Sequence, residues 1–335
     1  MKKINLMLLF IFIAGFATHT MAQFGFGKVA DLEEVKKRKL IVIVETPDQD
    51  LVKKLTKKGK TDAISQYQEA LDLYNKEMKE VVEKFWTFSS NEIVYKTWQE
   101  VDKMKPSWMK YAVIYCTTAS TLYEISDGFK NAKGLTWTPS GDKMTSNGIT
   151  VFAVSLPEKN RCIWFQDMPD IFPTKSDLVY GITSTNYYFN YRMMPSHQKG
   201  GLSEMEDMIA ENQPILKNRT LLLRQDNLDS KLTPDKIANA YPFKYRTVTS
   251  DEMDQYVVNA DSNYAYAIII PTFSSHQVIY IQYVYDCKDG STLGLARPSI
   301  GGMMLGGYIG QSGHSVITEK TLKDFCKYIT DKKKK

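Results

Sequence analysis

Two pairs of carboxylates have a spacing that acid–base catalysis could use: Glu100 with Asp102, and Glu252 with Asp254. Each pair lies in a short acidic turn, and the two turns occupy matching places in two similar stretches of sequence. Carboxylates at the start of a helix cap its free N–H groups and interact favourably with the helix dipole. The repeated placement therefore favours a capping role over a catalytic one.

Other catalytic and ligand-binding patterns are incomplete. Ser312 lies in Gly-Gln-Ser-Gly, which lacks the spacing of a nucleophile elbow, and His314 is too close in sequence to form the usual triad with it. The sequence has no CxxC, and the histidines beyond residue 22 are far apart. No glycine-rich phosphate loop is present. The sequence therefore predicts no catalytic residue, no metal site and no cofactor.

Four cysteines leave two alternatives open: Cys116, Cys162, Cys287 and Cys326. Two lie in each half of the chain, so a duplicated architecture favours pairing Cys116 with Cys162 and Cys287 with Cys326. The alternative is that some are buried free thiols, because cysteine packs well as a small hydrophobic residue.

The residues that could do chemistry lie on a unit that occurs twice. The first copy contains VKKRKLIVIVETPD from Val35, FWTFSSNEIVYKTWQEVDK from Phe85 and YAVIYCTT from Tyr111. The second contains LKNRTLLLRQDN from Leu216, YPFKYRTVTSDEMDQ from Tyr241 and YAIIIPT from Tyr266. Each copy predicts a strand, a helix, a short strand with an acidic turn, and an apolar strand. We expect Leu40–Val44 to match Leu221–Leu223 and Ala112–Tyr115 to match Ala267–Ile270.

A hairpin is predicted after each copy, around Pro157–Asn160 and around Cys287–Gly290. Helices are predicted over 176–192 and 203–212. The fold class is therefore α/β, with α+β as the alternative, in two duplicated two-layer or three-layer units. We expect domains over 23–197 and 198–330, each long enough to bury its own core.

The first copy has the longer helix. Equivalent residues are 181 positions apart at Arg38 and Arg219 but 152 apart at Glu100 and Glu252, so the first copy contains 29 additional residues. Its helix carries an apolar stripe with alternating spacings of 3 and 4, formed by Ile64, Tyr67, Leu71, Tyr74, Met78, Val81 and Phe85. One interpretation is packing on the helix's own sheet. The other predicts that Ile64, Tyr67 and Leu71 are partly exposed and bind a partner helix, with Tyr74 as a further candidate for this contact, while Val81 and Phe85 are buried.

Two further segments could contact partners or ligands. Gly302, Gly306 and Gly310 are four residues apart and would form a close-packing face on a helix, although a glycine-rich loop is the alternative. The aromatic run YYFNYR from Tyr187 could stack on a sugar, but aromatic residues at helical spacing usually belong to a core.

The termini predict export. Lys2 and Lys3, the apolar segment Ile4–Ala17 and the small residue Ala22 have the pattern of a cleavable signal peptide over residues 1–22. The Lys-rich end, residues 331–335, is predicted to be a solvated tail. Because leader and tail hold much of the excess positive charge, no nucleic-acid-binding face is predicted. No other segment is long and apolar enough to span a bilayer. We expect a periplasmic protein, with secretion or outer-membrane association as alternatives.

The order of strands, helix and acidic turn in each copy resembles the α/β unit of the amino-terminal domain of the Tol-Pal translocation protein and of the curli-secretion lipoprotein group. The leader and the Lys/Asn/Tyr-rich composition also resemble those of Bacteroidetes-type proteins. Members of the two groups act as envelope scaffolds, so the resemblance implies a non-enzymatic binding or scaffold protein, with an envelope protein or a second copy of the chain as partner. One alternative is a glycan- or peptide-binding module with its site between the halves. The other is a hydrolase, which would require a cleft with strongly perturbed titratable groups.

Overall fold

The computed structural model describes residues 27–118, 138–140, 143–145, 149–159, 161–197, 202–274, 277–296 and 315–330. These residues form two five-stranded mixed sheets with helices packed around them, which confirms the α/β class and the presence of two units. None of the described helices is both long enough and apolar enough to cross a membrane.

The first repeat is built around strands that are apolar on both faces. Residues Leu40 to Ile43 are all buried, as expected for a strand with parallel neighbours and helices on both sides. The elements are α1 (Val29–Lys37), β1 (Lys39–Ile43), α2 (Gln49–Lys57), α3 (Thr61–Phe85), β2 (Ile93–Lys96), α4 (Trp98–Lys103), β3 (Tyr111–Thr118), β4 (Thr138–Ser140), β5 (Lys143–Thr145), β6 (Thr150–Leu156), β7 (Arg161–Asp167) and α5 (Lys175–Met193). Strands β4 and β5 form a separate two-stranded ribbon.

The second repeat follows the same order of main strands and connecting helices, with one short helix in place of α2 and α3 and, among its described residues, no counterpart of the β4–β5 ribbon. Its elements are α6 (Leu202–Asn212), β8 (Thr220–Arg224), α7 (Pro234–Ala240), β9 (Tyr245–Val248), α8 (Ser250–Val258), β10 (Tyr264–Ser274), β11 (Gln277–Asp286), β12 (Thr292–Ala296), α9 (Glu319–Phe325) and α10 (Lys327–Thr330). Both predicted hairpins are confirmed as the antiparallel pairs β6–β7 and β11–β12.

The two sheets have the same strand order. The order is β2-β1-β3-β6-β7 in the first and β9-β8-β10-β11-β12 in the second, with parallel pairs around β1 and β8 and antiparallel pairs in the hairpins. The duplication is therefore confirmed, and Leu40 corresponds to Leu221. The predicted match for β3 is wrong by two residues. Ala112 pairs with Leu40 and Ala265 pairs with Leu221, so Ala112 corresponds to Ala265 and not to Ala267.

The repeats turn opposite faces of their sheets towards the centre of the molecule. Leu40 lies in the large cluster between the sheets, which we call the shared core, whereas its counterpart Leu221 lies in a cluster on the outer side of the second sheet. The next residues show the reverse, because Ile41 faces outwards and Leu222 lies in the shared core. Side chains alternate between the faces of a strand. The repeats are therefore stacked in the same orientation, one behind the other.

One core spans both halves, which corrects the expectation of two separate cores. The shared core contains residues of both sheets and of α5, whose Leu178, Tyr180 and Phe189 are buried within it. The turn between β11 and β12 also packs on α5. Gly290 has a φ of +73°, and a Cβ on it would lie 2.5 Å from the backbone of Thr183 and Ser184. Stacking buries the helix layer of the first repeat against the second sheet, so neither repeat is covered without the other.

Candidate functional site

Some residues singled out in the sequence lie outside the described residues. They are Ser312 and His314, with Gly302, Gly306 and Gly310. The aromatic run on α5 is described, and it belongs to the interior. Tyr188, Phe189 and Tyr191 are buried, and the Tyr188 ring stacks on Trp164 with a centroid distance of 4.2 Å. The core interpretation of this run is therefore confirmed.

The repeated acidic turns are helix caps. Thr97 and Glu100 form a reciprocal capping box at the start of α4, and Thr249 and Glu252 form the same box at the start of α8. The hydrogen bond from the Thr97 backbone is the main reason that the pKa of Glu100 is lowered. This confirms the capping role of the two glutamates. Asp254 is different, because it lines a cleft described below.

The four cysteines are free thiols. Cys116 lies in the shared core, and Cys162 packs on the opposite face of the same sheet. Cys287 and Cys326 are divided in the same way between the shared core and the outer cluster of the second repeat. The disulfides suggested by the duplication are not formed, since a sheet lies between the two thiols of each pair. Burial raises the pKa of Cys116 to about 12, which keeps this thiol protonated.

The stripe on α3 is core, so the prediction that Tyr67 and Leu71 are exposed is wrong. Tyr67, Leu71 and Tyr74 are 1%, 2% and 1% exposed, so Tyr74 is not a partner contact either, and Ile64 and Phe85 are half-buried. The additional residues of the first repeat include the short helix α2, which folds back on α3 and covers this part of the stripe. Leu51 and Val52 of α2 pack there together with Phe172 from the loop between β7 and α5. We call α2 and α3 the insert hairpin.

A cleft of about 890 Å³ lies between the two repeats. Its wall on the side of the first repeat is the segment from Met168 to Asp177, which joins β7 to α5. Its wall on the side of the second repeat is formed by Arg224 at the end of β8, by α8 and by β10. The cleft is large enough for a small organic ligand. We call it the inter-repeat cleft.

The position of the cleft follows from the topology of the second sheet. Strand β8 pairs in parallel with β9 on one side and with β10 on the other. Helix α7 packs on the outer face of this sheet, and α8 packs on the face towards the shared core. The connections from β8 to β9 and from β9 to β10 thus pass on opposite sides of the sheet. A place where neighbouring connections pass on opposite faces of a sheet is called a topological switch point. It leaves a crevice at the carboxyl ends of the strands, where ligands of α/β proteins commonly bind.

Three carboxyl groups, those of Asp170, Asp177 and Asp254, belong to the polar lining of the cleft. Asp177 is buried at the first turn of α5, where its Oδ2 accepts the Thr174 N–H at 2.9 Å. Burial, reinforced by the charge of Asp170, raises the pKa of Asp177 well above its usual value. Although Asp170 is exposed in the cleft, the protein atoms crowded around it raise its pKa as well. Of the two neighbouring carboxyls, the buried Asp177 therefore has the stronger preference for its protonated form.

Two further polar contacts in the cleft are formed by Arg224 and by Ser176. The Arg224 guanidinium donates two hydrogen bonds to the Asp226 carboxylate, at 3.0 and 2.5 Å. The Ser176 hydroxyl of α5 donates to Oδ1 of Asp254 on α8 at 2.6 Å, which joins the two repeats across the cleft. The apolar part of the lining is contributed mainly by Phe172, Tyr180, Met253, Val257, Tyr266 and Ile268.

A buried hydrogen bond also joins the repeats beside the cleft. The Thr272 hydroxyl of β10 donates to Oδ2 of Asp167 at the end of β7, at 2.7 Å. Burial raises the pKa of Asp167 to about 7. This carboxyl therefore changes its charge near neutral pH, at a point where the two sheets meet.

Sequence reasoning did not identify Asp170, Asp177 or Arg224 as site residues. One signal was available, since Thr174 and Asp177 have the spacing of a capping box and mark the start of α5. That signal gives the helix boundary but not the cleft, because the opposite wall comes from residues about 50 to 100 positions later in the chain. Among the described residues, no three His, Cys, Asp or Glu side chains are grouped so that they could hold a metal ion.

The sequence matches no family model, and comparisons with curated proteins and with solved structures found no significant match. The resemblance to the Tol-Pal and curli-secretion groups therefore stays a prediction.

Proposed function

We propose that this is a binding protein whose ligand occupies the inter-repeat cleft. The observation that carries the proposal is the position of the cleft, at the switch point of the second sheet and between two repeats that share one core. Hydrogen-bonding groups line one part of the cleft, and apolar and aromatic side chains line another. That combination is typical of sites that bind small organic molecules or short peptide segments.

A panel of ligands tests the proposal by thermal unfolding. The panel contains monosaccharides, tripeptides, alkylamines and alkyl carboxylates, each compared with buffer. A ligand that binds only the folded protein raises the unfolding temperature in a concentration-dependent way. We expect at least one class to do so, and we expect Ile268→Trp to abolish the shift because the larger indole would obstruct the apolar part of the lining on which the ligand packs. The proposal fails if no class stabilises the protein, or if the stabilisation is the same in Ile268→Trp.

A hydrolase is the second candidate, favoured by one observation. Asp170 and Asp177 are neighbouring carboxyls with raised pKa values in a cleft, and a proton donor paired with a carboxylate is what acid–base hydrolysis requires. The cap at Thr174 also accounts for the position of Asp177 without catalysis. If a panel ligand is hydrolysed, Asp170→Asn should remove turnover. Conversely, unchanged ligand after long incubation with the wild-type protein would reject the hydrolase.

The proposed compartment is the periplasm, and it is supported by the leader-like sequence. We expect the intact mass of the protein from the producing cell to lack residues 1–22. A soluble form that retains Met1 would contradict export.

A further inference from the structure

We infer that the ligand of the inter-repeat cleft is an organic cation with an apolar body, such as an ammonium or guanidinium group on a hydrocarbon chain. This inference rests on the proposed function, since it assigns a chemical class to the ligand of the same cleft. Three properties of the cleft carry it: the sign of its charge, the state of its helix N-termini and the position of its apolar surface.

The charge of the lining is acidic. Asp170, Asp177 and Asp254 are the acidic residues, and Arg224 the basic residue, in the described lining of the cleft. Because burial raises the pKa of Asp177, the acidic character of the lining depends mainly on Asp170 and Asp254. The Arg224 guanidinium is paired with Asp226, which lies outside the lining, and its charge also acts on Asp170 and Asp254. Asp254 accepts one hydrogen bond from Ser176, but an ionised carboxylate can accept about four. A cationic N–H group would therefore find acceptors at this edge of the cleft.

The helix N-termini do not offset the preference of the cleft for a cationic ligand. The starts of α5 and α8 both line the cleft, and a free helix N-terminus attracts anions. Here, however, each helix carries its own carboxyl cap: Asp177 with Thr174 in α5, and Glu252 with Thr249 in α8. The Thr174 and Thr249 hydroxyls accept the first-turn N–H groups of Asp177 and Glu252, and these two carboxyls accept the N–H groups of Thr174 and Thr249. Part of each helix N-terminus is therefore already hydrogen-bonded and is not open to an anionic ligand.

The apolar surface lies next to the acidic edge. Met253 and Val257 are on the same helix as Asp254, one and three residues away, and all three line the cleft. Ile268 and Tyr266 of β10 continue this surface, and both are also part of the lining. A ligand whose cation reaches Asp254 can therefore place an attached hydrocarbon or aromatic group on this surface. Burial of that group would add the hydrophobic contribution to binding.

Three probes that share one apolar body test the inference: 4-phenylbutylamine, 4-phenylbutanol and 4-phenylbutyrate. They differ only in a cationic, a neutral or an anionic end group. We expect the amine to bind the full chain at least about tenfold more tightly than the other two in a calorimetric or NMR titration. The amine's advantage should shrink at high salt, because screening weakens the attraction between partly exposed charges.

Two matched variants on α8 locate the charge effect. Asp254→Asn keeps an oxygen that can accept the Ser176 hydroxyl but removes the charge, so we expect about tenfold weaker binding of the amine and little change for the alcohol. Asp251→Asn is the control, because Asp251 is exposed on the same helix and does not line the cleft. It should leave all three affinities unchanged.

The outcomes separate this inference from the proposed function. If the alcohol or the butyrate binds as tightly as the amine and Ile268→Trp removes that binding, the cleft is a binding site but the assignment of a cation is overturned. The assignment also fails if Asp251→Asn weakens the amine as much as Asp254→Asn does, or if none of the probes binds. Failure of every class in the ligand panel rejects the binding function itself.

Discussion

The carboxyl ends of β1 and β8 are equivalent places in the two repeats, but one is closed and the other is open. In the first repeat the Asn75 side chain of α3 forms two hydrogen bonds with the backbone of Glu45, at 2.8 and 2.9 Å. The Trp98 indole N–H also donates to Glu45, and the Tyr67 hydroxyl accepts the Asp48 N–H. Helix α3 of the insert hairpin, together with Trp98 of α4, thus supplies the side chains that fill this crevice.

In the second repeat the corresponding position remains accessible. Asp226 is the counterpart of Glu45 by the same offset that relates Arg38 to Arg219, and its side chain is 61% exposed. The short helix α7 packs on the outer face of the sheet and leaves the end of β8 open to the inter-repeat cleft. The same position in the fold is therefore filled by core side chains in the first repeat and lies at a candidate site in the second. The difference arises because the connection between β1 and β2 is longer than the one between β8 and β9.

The largest expected effect comes from breaking the closed crevice. Tyr67→Ser combined with Leu71→Ser removes two buried side chains between α2, α3 and Phe172, so we expect a loss of more than about 5 kcal/mol in the free energy of unfolding. Urea titration followed by circular dichroism measures it. Leu73→Ser is the control, since Leu73 is 53% exposed on the same helix. A double variant as stable as this control would mean that the stripe does not pack as described.

The next effect is a pH dependence of the free energy of unfolding, and it concerns the hydrogen bond between Asp167 and Thr272 that joins the repeats. The pKa of Asp167 is raised from its ordinary value of 3.8 to about 7, so the protonated form is favoured in the folded state. Its stabilising contribution is fully present below about pH 4 and is lost as pH rises towards and through 7, by about 4 kcal/mol in total. Asp167→Asn should remove this loss while keeping an acceptor for Thr272.

Unfolding free energies at pH 4.5, 6 and 8 compare the two proteins. As the pH rises, we expect the free energy of unfolding of the Asn variant to increase relative to that of the wild type. A difference that does not change with pH would show that Asp167 is ionised in the folded protein.

A smaller effect is expected from Asn75→Ala. The substitution leaves the backbone N–H and C=O of Glu45 without their partner beneath the insert hairpin, which should cost about 2 kcal/mol. Asp72→Ala on the exposed side of α3 is the comparison and should change stability by less than about 0.5 kcal/mol. Equal effects of the two substitutions in urea titrations would argue against closure of this crevice by Asn75.

The smallest expected effect is the loss of stability on removing either capping box. Thr97→Ala and Thr249→Ala should each cost about 1 kcal/mol, because each removes the side chain that caps a helix. Of these two capped helices, α8 lines the inter-repeat cleft and α4 does not, so we expect Thr249→Ala but not Thr97→Ala to weaken binding of a cleft ligand as well. Titrating both variants with the same ligand separates the effects, and equal loss of binding in the two would contradict this placement.

The sequence by itself determined the local elements and their duplication. The strand in VKKRKLIVIVETPD, the hairpin around Pro157–Asn160 and the capping pair Thr249 and Glu252 each depend on residues within a few positions of one another. Such patterns can be recognised because the backbone period and the turn chemistry are local properties. The strand order repeats because the same local elements follow one another twice.

The tertiary structure alone decided which surfaces are buried and where the cleft lies. Strands such as Leu40–Ile43 are apolar on both faces, so alternation could not show which face of each sheet points to the centre. The stripe of α3 required an apolar cover, and its period could not reveal that this cover is α2 and Phe172 instead of a partner protein. Asp170, Asp177, Arg224 and Asp254 became neighbours only when the repeats stacked, because that contact joins segments distant in sequence.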